Sequence, residues 1–239
     1  MSESISAVLW LLTIAVGRPE GVVRLGVVTA TLWTMQVGYL VVTHRATRVA
    51  EGGLSSIGVA NGVTMLRGGL YAVVAGFVLV PPDTPLAWAP AICYGSGVVL
   101  DKLDGWLART IGRETDLGER LDMAFDTFGF VVAPLVAVVW GVLPVWYLSL
   151  SAARFVYRGG LGWRTSRGRP VFDPPEGQLS RYLAGMQMAF LTVALAPPIP
   201  ASLIAALAPF TLAPSLAVFA RDFLYASGRL PRNSRAERN

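Results

Sequence analysis

The sequence predicts an all-α, polytopic membrane protein, and three observations carry that expectation. Of its 239 residues, 54% are apolar and only 15% are charged, where a soluble domain carries about 25% charged residues. Apolar runs near the ~20 residues needed to cross a ~30 Å hydrocarbon core recur along the chain. Basic residues concentrate in alternate connections between those runs, the pattern left when Lys- and Arg-rich loops stay on the cytoplasmic side.

Taken in order, the apolar runs are 5–17, 22–43, 59–81, 86–108, 118–141, 144–162, 178–196 and 200–226. The first is short, which suits a surface or re-entrant helix better than a span. Pro-rich breaks such as Val80-Pro81-Pro82-Asp83 and Ala196-Pro197-Pro198-Ile199-Pro200 separate the later runs. The connections 44–58, 109–120, 158–181 and 221–239 hold nearly all the arginines of the second half and several before it. Those near 81–86, 141–144 and 196–200 contain no Lys or Arg. The last six runs therefore read as three hairpins with both ends inside, and Trp88, Trp140 and Trp146 fall beside the charge-free loops as an aromatic belt would. Arg18 and Arg24 fit this scheme less well, because both face outward if the two early runs span. The organisation expected is an N-terminal hydrophobic extension over 1–58, a six-helix membrane core over 59–226 and a basic cytoplasmic tail over 227–239.

Composition also excludes function classes. A net charge of +5 and a pI near 9.8 follow from positive-inside placement and suit an anionic inner leaflet; no recognition motif accompanies the charge, so no nucleic-acid partner is expected. The lone Cys93 rules out an intramolecular disulfide. Met1 to Ser6 lacks the basic n-region of a cleavable signal.

Four carboxylates stand out against this background. Asp101 and Asp104 close one apolar run, and Asp122 and Asp126 open the next. A charge at mid-bilayer costs roughly 2.5–3.5 kcal/mol on insertion scales, and facing carboxylates repel unless a cation neutralises them. Asp101, Asp104, Gly105 and Ala108 lie at i, i+3, i+4 and i+7, one stripe of a helix, while Gly118, Asp122 and Asp126 form a second stripe at i, i+4 and i+8. The connector from Thr110 to Leu117 is short, so the two helices are expected as antiparallel neighbours with the stripes face to face. Oxygen-only ligation suits Mg²⁺, Mn²⁺ or Ca²⁺, and with His44 as the lone histidine a zinc site is not expected. Small-residue helix packing explains the glycines but not four acids.

The pattern Asp101-x2-Asp104-Gly105-x2-Ala108-Arg109-x8-Gly118-x3-Asp122-x3-Asp126 resembles, without a substitution, the signature of the CDP-alcohol phosphotransferase (phosphatidyltransferase) family. Eight fixed positions over 26 residues carry the resemblance, and Asn61-x2-Thr64-x2-Arg67 extends it to an earlier helix. Together they cover about 59–226; residues 1–58 lie outside it.

The resemblance implies an enzyme of phospholipid synthesis that moves the phospho-alcohol part of a CDP-alcohol, such as CDP-diacylglycerol, to a second alcohol and releases CMP. It implies a two-metal site of Mg²⁺ or Mn²⁺ on Asp101, Asp104, Asp122 and Asp126, with Asp122 and Asp126 catalytic and Asp126 the base toward the acceptor hydroxyl. Gly105, Ala108 and Gly118 then leave room for the CDP-alcohol, and Asn61, Thr64 and Arg109 are candidate contacts to its nucleotide or phosphates. The site faces the cytoplasm, and the resemblance implies a homodimer. Lys102 lies off the acid stripe and reads as a surface charge.

For the acceptor, Arg154 and Arg158 sit one helical turn apart and Arg181 opens the next run. They form a candidate cationic pocket for a phosphorylated polyol such as glycerol 3-phosphate or inositol phosphate; topology-setting charge accounts for them equally well. Arg164, Arg167 and Arg169 read as solvated loop charges.

Two rival functions share some of these features. A membrane prenyltransferase also binds Mg²⁺-diphosphate on Asp-rich helices, but with other spacings and with diphosphate rather than CMP as product. A cation transporter also clusters acids, yet places them near the midplane on broken helices, not at the cytoplasmic helix ends.

Overall fold

In the computed structural model the described residues are 19–50, 58–111, 115–172 and 178–230. Within them, the side chains of residues 19, 49, 50, 60, 104–111 and 178 are not among those described. All regular structure among these residues is helical: α1 (Pro19–Ala50), α2 (Val59–Gly76), α3 (Ala89–Ile111), α4 (Asp116–Val139), α5 (Ser149–Ser166), α6 (Gln178–Ala194) and α7 (Ala201–Ala226). Short 3₁₀ turns at Phe77–Leu79 and Val145–Leu148 follow α2 and precede α5. The apolar run 5–17 and most of the basic tail lie outside the described residues.

Among the described residues, four stretches are long and apolar enough to cross a membrane: Glu20–Arg48, Asn61–Leu79, Asp116–Val139 and Ala201–Ala226. The other three helices of the expected six-helix core fall short of that measure for identifiable reasons. Helix α3 carries Asp101, Lys102, Asp104 and Arg109, α5 carries Arg154, Arg158 and Arg164, and α6 has 17 residues. The protein is a polytopic all-helical membrane protein.

Helix α2 is the organising element, packing extensively against α1, α3 and α4. Its glycines allow this. A Cβ on Gly68 would lie 2.8 Å from Gln36 Oε1, and one on Gly69 would lie 2.6 Å from the Trp33 ring, so α1 rests directly on the α2 backbone. On the opposite face Tyr71, fully buried, wedges its ring between Gly97 of α3 and Gly129 of α4. Its ring also stacks at 5.3 Å on Tyr94. The central core continues through Val74, Phe77, Val136, Tyr147, Leu191 and Ile204. Exposed Val23, Val27, Met35 and Val42 on α1 and Leu203, Leu207 and Phe210 on α7 give the bundle apolar outer faces, suited to lipid.

Helix ends and kinks are satisfied locally. Thr115 caps α4 by accepting from Gly118 N at 3.1 Å, with Asp116 and Glu119 in the first turn favouring the positive helix end. Pro134 inside α4 removes the donor that would have met the Phe130 carbonyl, and Ser151 Oγ of α5 donates to that oxygen instead at 2.7 Å. At the other end, Trp140 Nε1 donates to the carbonyls of Phe77 (3.2 Å) and Val80 (2.9 Å), tying the ends of α2 and α4 together. Trp88 and Trp146 sit half exposed beside the same charge-free loops. Arg24, which the charge pattern left facing outward, pairs at the surface with Glu20 at 3.4 Å.

Candidate active site

The site grows from three helices. Helix α3 supplies Asp101, α4 supplies Asp122 and Asp126 one turn apart, and α2 supplies Arg67. One carboxylate oxygen from each acid lies within 4.8 Å of the others. The Arg67 guanidinium is completely buried and sits among them. Its Nη1 donates to Asp101 Oδ1 and, at 2.9 Å, to Asp126 Oδ1; its Nη2 donates to Asp122 Oδ1. Side-chain exposure is 13% for Asp101, 24% for Asp126 and 47% for Asp122, so the cluster opens to solvent on the Asp122 side. Lys102, exposed, donates to Asp101 Oδ2 at 3.1 Å from the rim.

Sequence spacing anticipated that the two acid stripes would face one another directly. Their carboxylates do meet, but α3 and α4 themselves touch little, and α2 is the neighbour they share. The reason is the Tyr71 wedge, which holds the two helices apart below the acids while Arg67, one turn along the same face of α2, draws the carboxylates together. The pattern Asn61-x2-Thr64-x2-Arg67 includes Arg67 without implying a role for it. A guanidinium in an apolar helix demands a partner just as the carboxylates do.

The remaining expected residues distribute as follows. Asn61 and Thr64 are buried at the start of α2, and Asn61 Oδ1 lies over Gly118, 3.1 Å from where a Cβ would stand. Gly118 therefore allows the starts of α2 and α4 to approach closely. Asp104, Gly105, Ala108 and Arg109 belong to α3, and their side chains lie outside the described residues.

On the α4–α5 side, Arg154 Nε and Arg158 Nη1 both donate to Thr127 Oγ1, at 3.1 and 3.3 Å. Thr127 follows Asp126 directly. The Arg154 guanidinium also lies over the Phe130 ring at 5.2 Å. It lines a cavity of about 90 Å³ between α4, α5, α6 and α7, together with Ser180, Gln187, Ser215 and Asp222 among apolar residues. Asp222 holds Arg221 at 2.7 Å. Gln187 is fixed by Tyr147 Oη, which donates to its Oε1, and itself donates to the Thr211 carbonyl (2.8 Å) and Ser215 Oγ (3.0 Å). Arg158 and Arg181 are both exposed, and neither is part of the cavity's lining. Neither Gln187 nor Asp222 had a distinguishing signal in the sequence, because each is one of several scattered polar residues in its helix.

Comparison with known proteins adds an independent line. The family model described as CDP-alcohol phosphatidyltransferase matches residues 57–219. Proteins of Mycobacterium tuberculosis and Mycobacterium bovis, each named "Putative cardiolipin synthase", are 33% identical over 112 residues, which is 46% of this chain and 52% of each relative. The alignment thus spans about half the length of the curated relatives it matches. No solved structure matches the chain.

Proposed function

The chain belongs to the CDP-alcohol phosphatidyltransferase family, and on that premise we propose that it transfers a phosphatidyl group from a CDP-linked lipid such as CDP-diacylglycerol to an alcohol, releasing CMP. The observation that carries the reading is the convergence of Asp101, Asp122 and Asp126, with one oxygen of each inside 4.8 Å. An all-oxygen, half-buried donor set fits a hard divalent ion, Mg²⁺ or Mn²⁺. Asp104 would join the three, and a bound metal pair would neutralise the diphosphate and polarise the acceptor hydroxyl.

The chain's own groups then divide the work. Asn61, Thr64, Gly105, Ala108, Arg109 and Gly118 take the CDP-alcohol; Asn61 and Gly118 meet in the structure. Asp126 takes the proton of the acceptor hydroxyl. The freed oxygen attacks the lipid-bearing phosphorus, a P–O bond forms, and the P–O bond to CMP breaks with the electron pair leaving on CMP. Asp126 is read as the base because its neighbour in sequence, Thr127, accepts a hydrogen bond from Arg154, which lines the cavity.

The acceptor reading follows from that cavity. One guanidinium in a mostly apolar pocket, whose Asp222 carboxylate is already held by Arg221, suits an alcohol that carries a phosphate, as glycerol 3-phosphate, inositol phosphate and phosphatidylglycerol all do. The last enters because the mycobacterial relatives are named for cardiolipin synthesis. The site is read as cytoplasmic from the placement of basic loops, and a homodimer remains part of the family resemblance.

Identifying the lipid product formed from CDP-diacylglycerol with each acceptor in turn tests the assignment. Product with one phosphate-bearing acceptor supports it; product only with serine or free inositol removes the phosphate-docking role. Arg154→Ala is expected to raise KM for that acceptor about 10- to 100-fold with kcat little changed, the size of a lost charged hydrogen bond. An unchanged KM would return Arg154 to packing over Phe130. Arg181→Ala, at an exposed position outside the cavity, is the comparison and is expected to shift KM less.

A further inference from the structure

We propose that Arg67 is a built-in counter-ion of the acid centre that competes with divalent cations for its carboxylates, so that it aligns three helices and lowers cation affinity at once. The inference rests on reading these acids as a metal centre. A guanidinium commonly grips one carboxylate with both prongs. Here, among the described side chains, its two Nη atoms reach three carboxylates from two helices, taking Oδ1 of Asp101, Asp122 and Asp126. These are the same three residues whose oxygens converge as cation ligands. A cation bound by them must share them with Arg67, or displace it.

The charge cannot be removed to ease that conflict. Arginine does not deprotonate in proteins, and Arg67 is fully buried, so solvent screens its charge little. Two cations a few ångströms apart in such a setting repel strongly. Arg67 also performs a task no exposed residue could. It stands one turn from the Tyr71 wedge on α2 and draws α3 and α4 together across it. Lys102 is exposed and donates to Asp101 Oδ2 on its own helix, a contact that does not bridge helices.

Two roles for Arg67 make opposite forecasts. If it were solely a strut, its loss would splay the acids and weaken cation binding. If it competes, its loss strengthens cation binding even though the metal-free protein becomes less stable.

Titration of Mn²⁺ alone into the purified full chain, with Arg67→Gln and Arg67→Lys alongside, separates them. The Gln variant is expected to melt at a lower temperature in chelator, to gain more from Mn²⁺ than the unaltered chain, and to bind Mn²⁺ at least ~10-fold more tightly. The Lys variant, which keeps the charge but cannot span three oxygens, is expected between the two. A Kd for the Gln variant equal to or weaker than that of the unaltered chain overturns the proposal and leaves the metal centre standing. Absence of Mn²⁺ binding in the unaltered chain removes both. If the Gln variant does not fold, the Lys variant decides: a Kd no tighter than that of the unaltered chain overturns the proposal.

Discussion

Asp126→Asn is expected to reduce turnover at least about a thousand-fold while the protein folds and still binds CDP-lipid. The substitution keeps the size of the side chain and one oxygen, so Arg67 retains a partner at this position. What disappears is the negative charge and the capacity to accept a proton. A positioned base contributes about 10²–10⁴-fold, and loss of charge at a metal ligand adds to that. Measured kcat together with binding of CDP-diacylglycerol checks it. Turnover within a few-fold of the unaltered chain would remove Asp126 as base and leave it a spectator in the cluster. Asp122→Asn, the more exposed acid, is expected to act mainly through the metal requirement, raising the Mg²⁺ or Mn²⁺ concentration needed for half-maximal rate.

The second large effect is expected in the packing beneath the acid cluster. Gly129→Val places a Cβ where the Tyr71 ring already stands, 2.6 Å from Cε2. Tyr71 is closed in on its other side by Gly97 and stacked on Tyr94, so the ring has nowhere to go. Overpacking of this kind costs about 1–3 kcal/mol, read as a lower melting temperature. Because Arg67 lies one turn away on α2, displacing the wedge also shifts the guanidinium that gathers the acids, and activity is expected to fall with stability. Adding Tyr71→Leu to Gly129→Val gives the check. The two changes should be less than additive, since the leucine vacates the space that valine needs. Simple additivity would mean that Tyr71 is not the obstacle.

Much of the architecture was legible because membrane helices announce themselves in composition. The apolar runs from 22–43 onward each contain or overlap an observed helix, and the Pro-rich breaks mark true ends at Val80 and Pro200. Helix α1 extends well past its apolar run, to Ala50, because Thr43 and Thr47 turn inward and are buried while the helix leaves its apolar stretch. Acid spacing brought Asp101, Asp122 and Asp126 to one place, since i, i+4 periodicity fixes a helix face whatever the packing.

What spacing could not supply was the partner between the faces. Helical periodicity says which residues share a side, not which helix fills the gap. The insertion of α2 between α3 and α4 depends on glycines at 97 and 129, whose role appears only against Tyr71. For the same reason Arg67 went without a role although its charge was as anomalous as the acids'. The pocket around Arg154 was half legible: the arginines were visible, but Gln187, Ser215 and Asp222 come from helices whose relative rotation no single-helix pattern encodes.

The most direct test of the account is the stoichiometry of CMP released from CDP-diacylglycerol by the purified chain, with a phosphate-bearing acceptor, in Mg²⁺ or Mn²⁺ and again in excess chelator. The account predicts one CMP per phosphatidyl group transferred, a rate that falls to background in chelator, and recovery when the metal is returned. CMP release that is indifferent to chelator, or phosphatidyl transfer with a leaving group other than CMP, would contradict it.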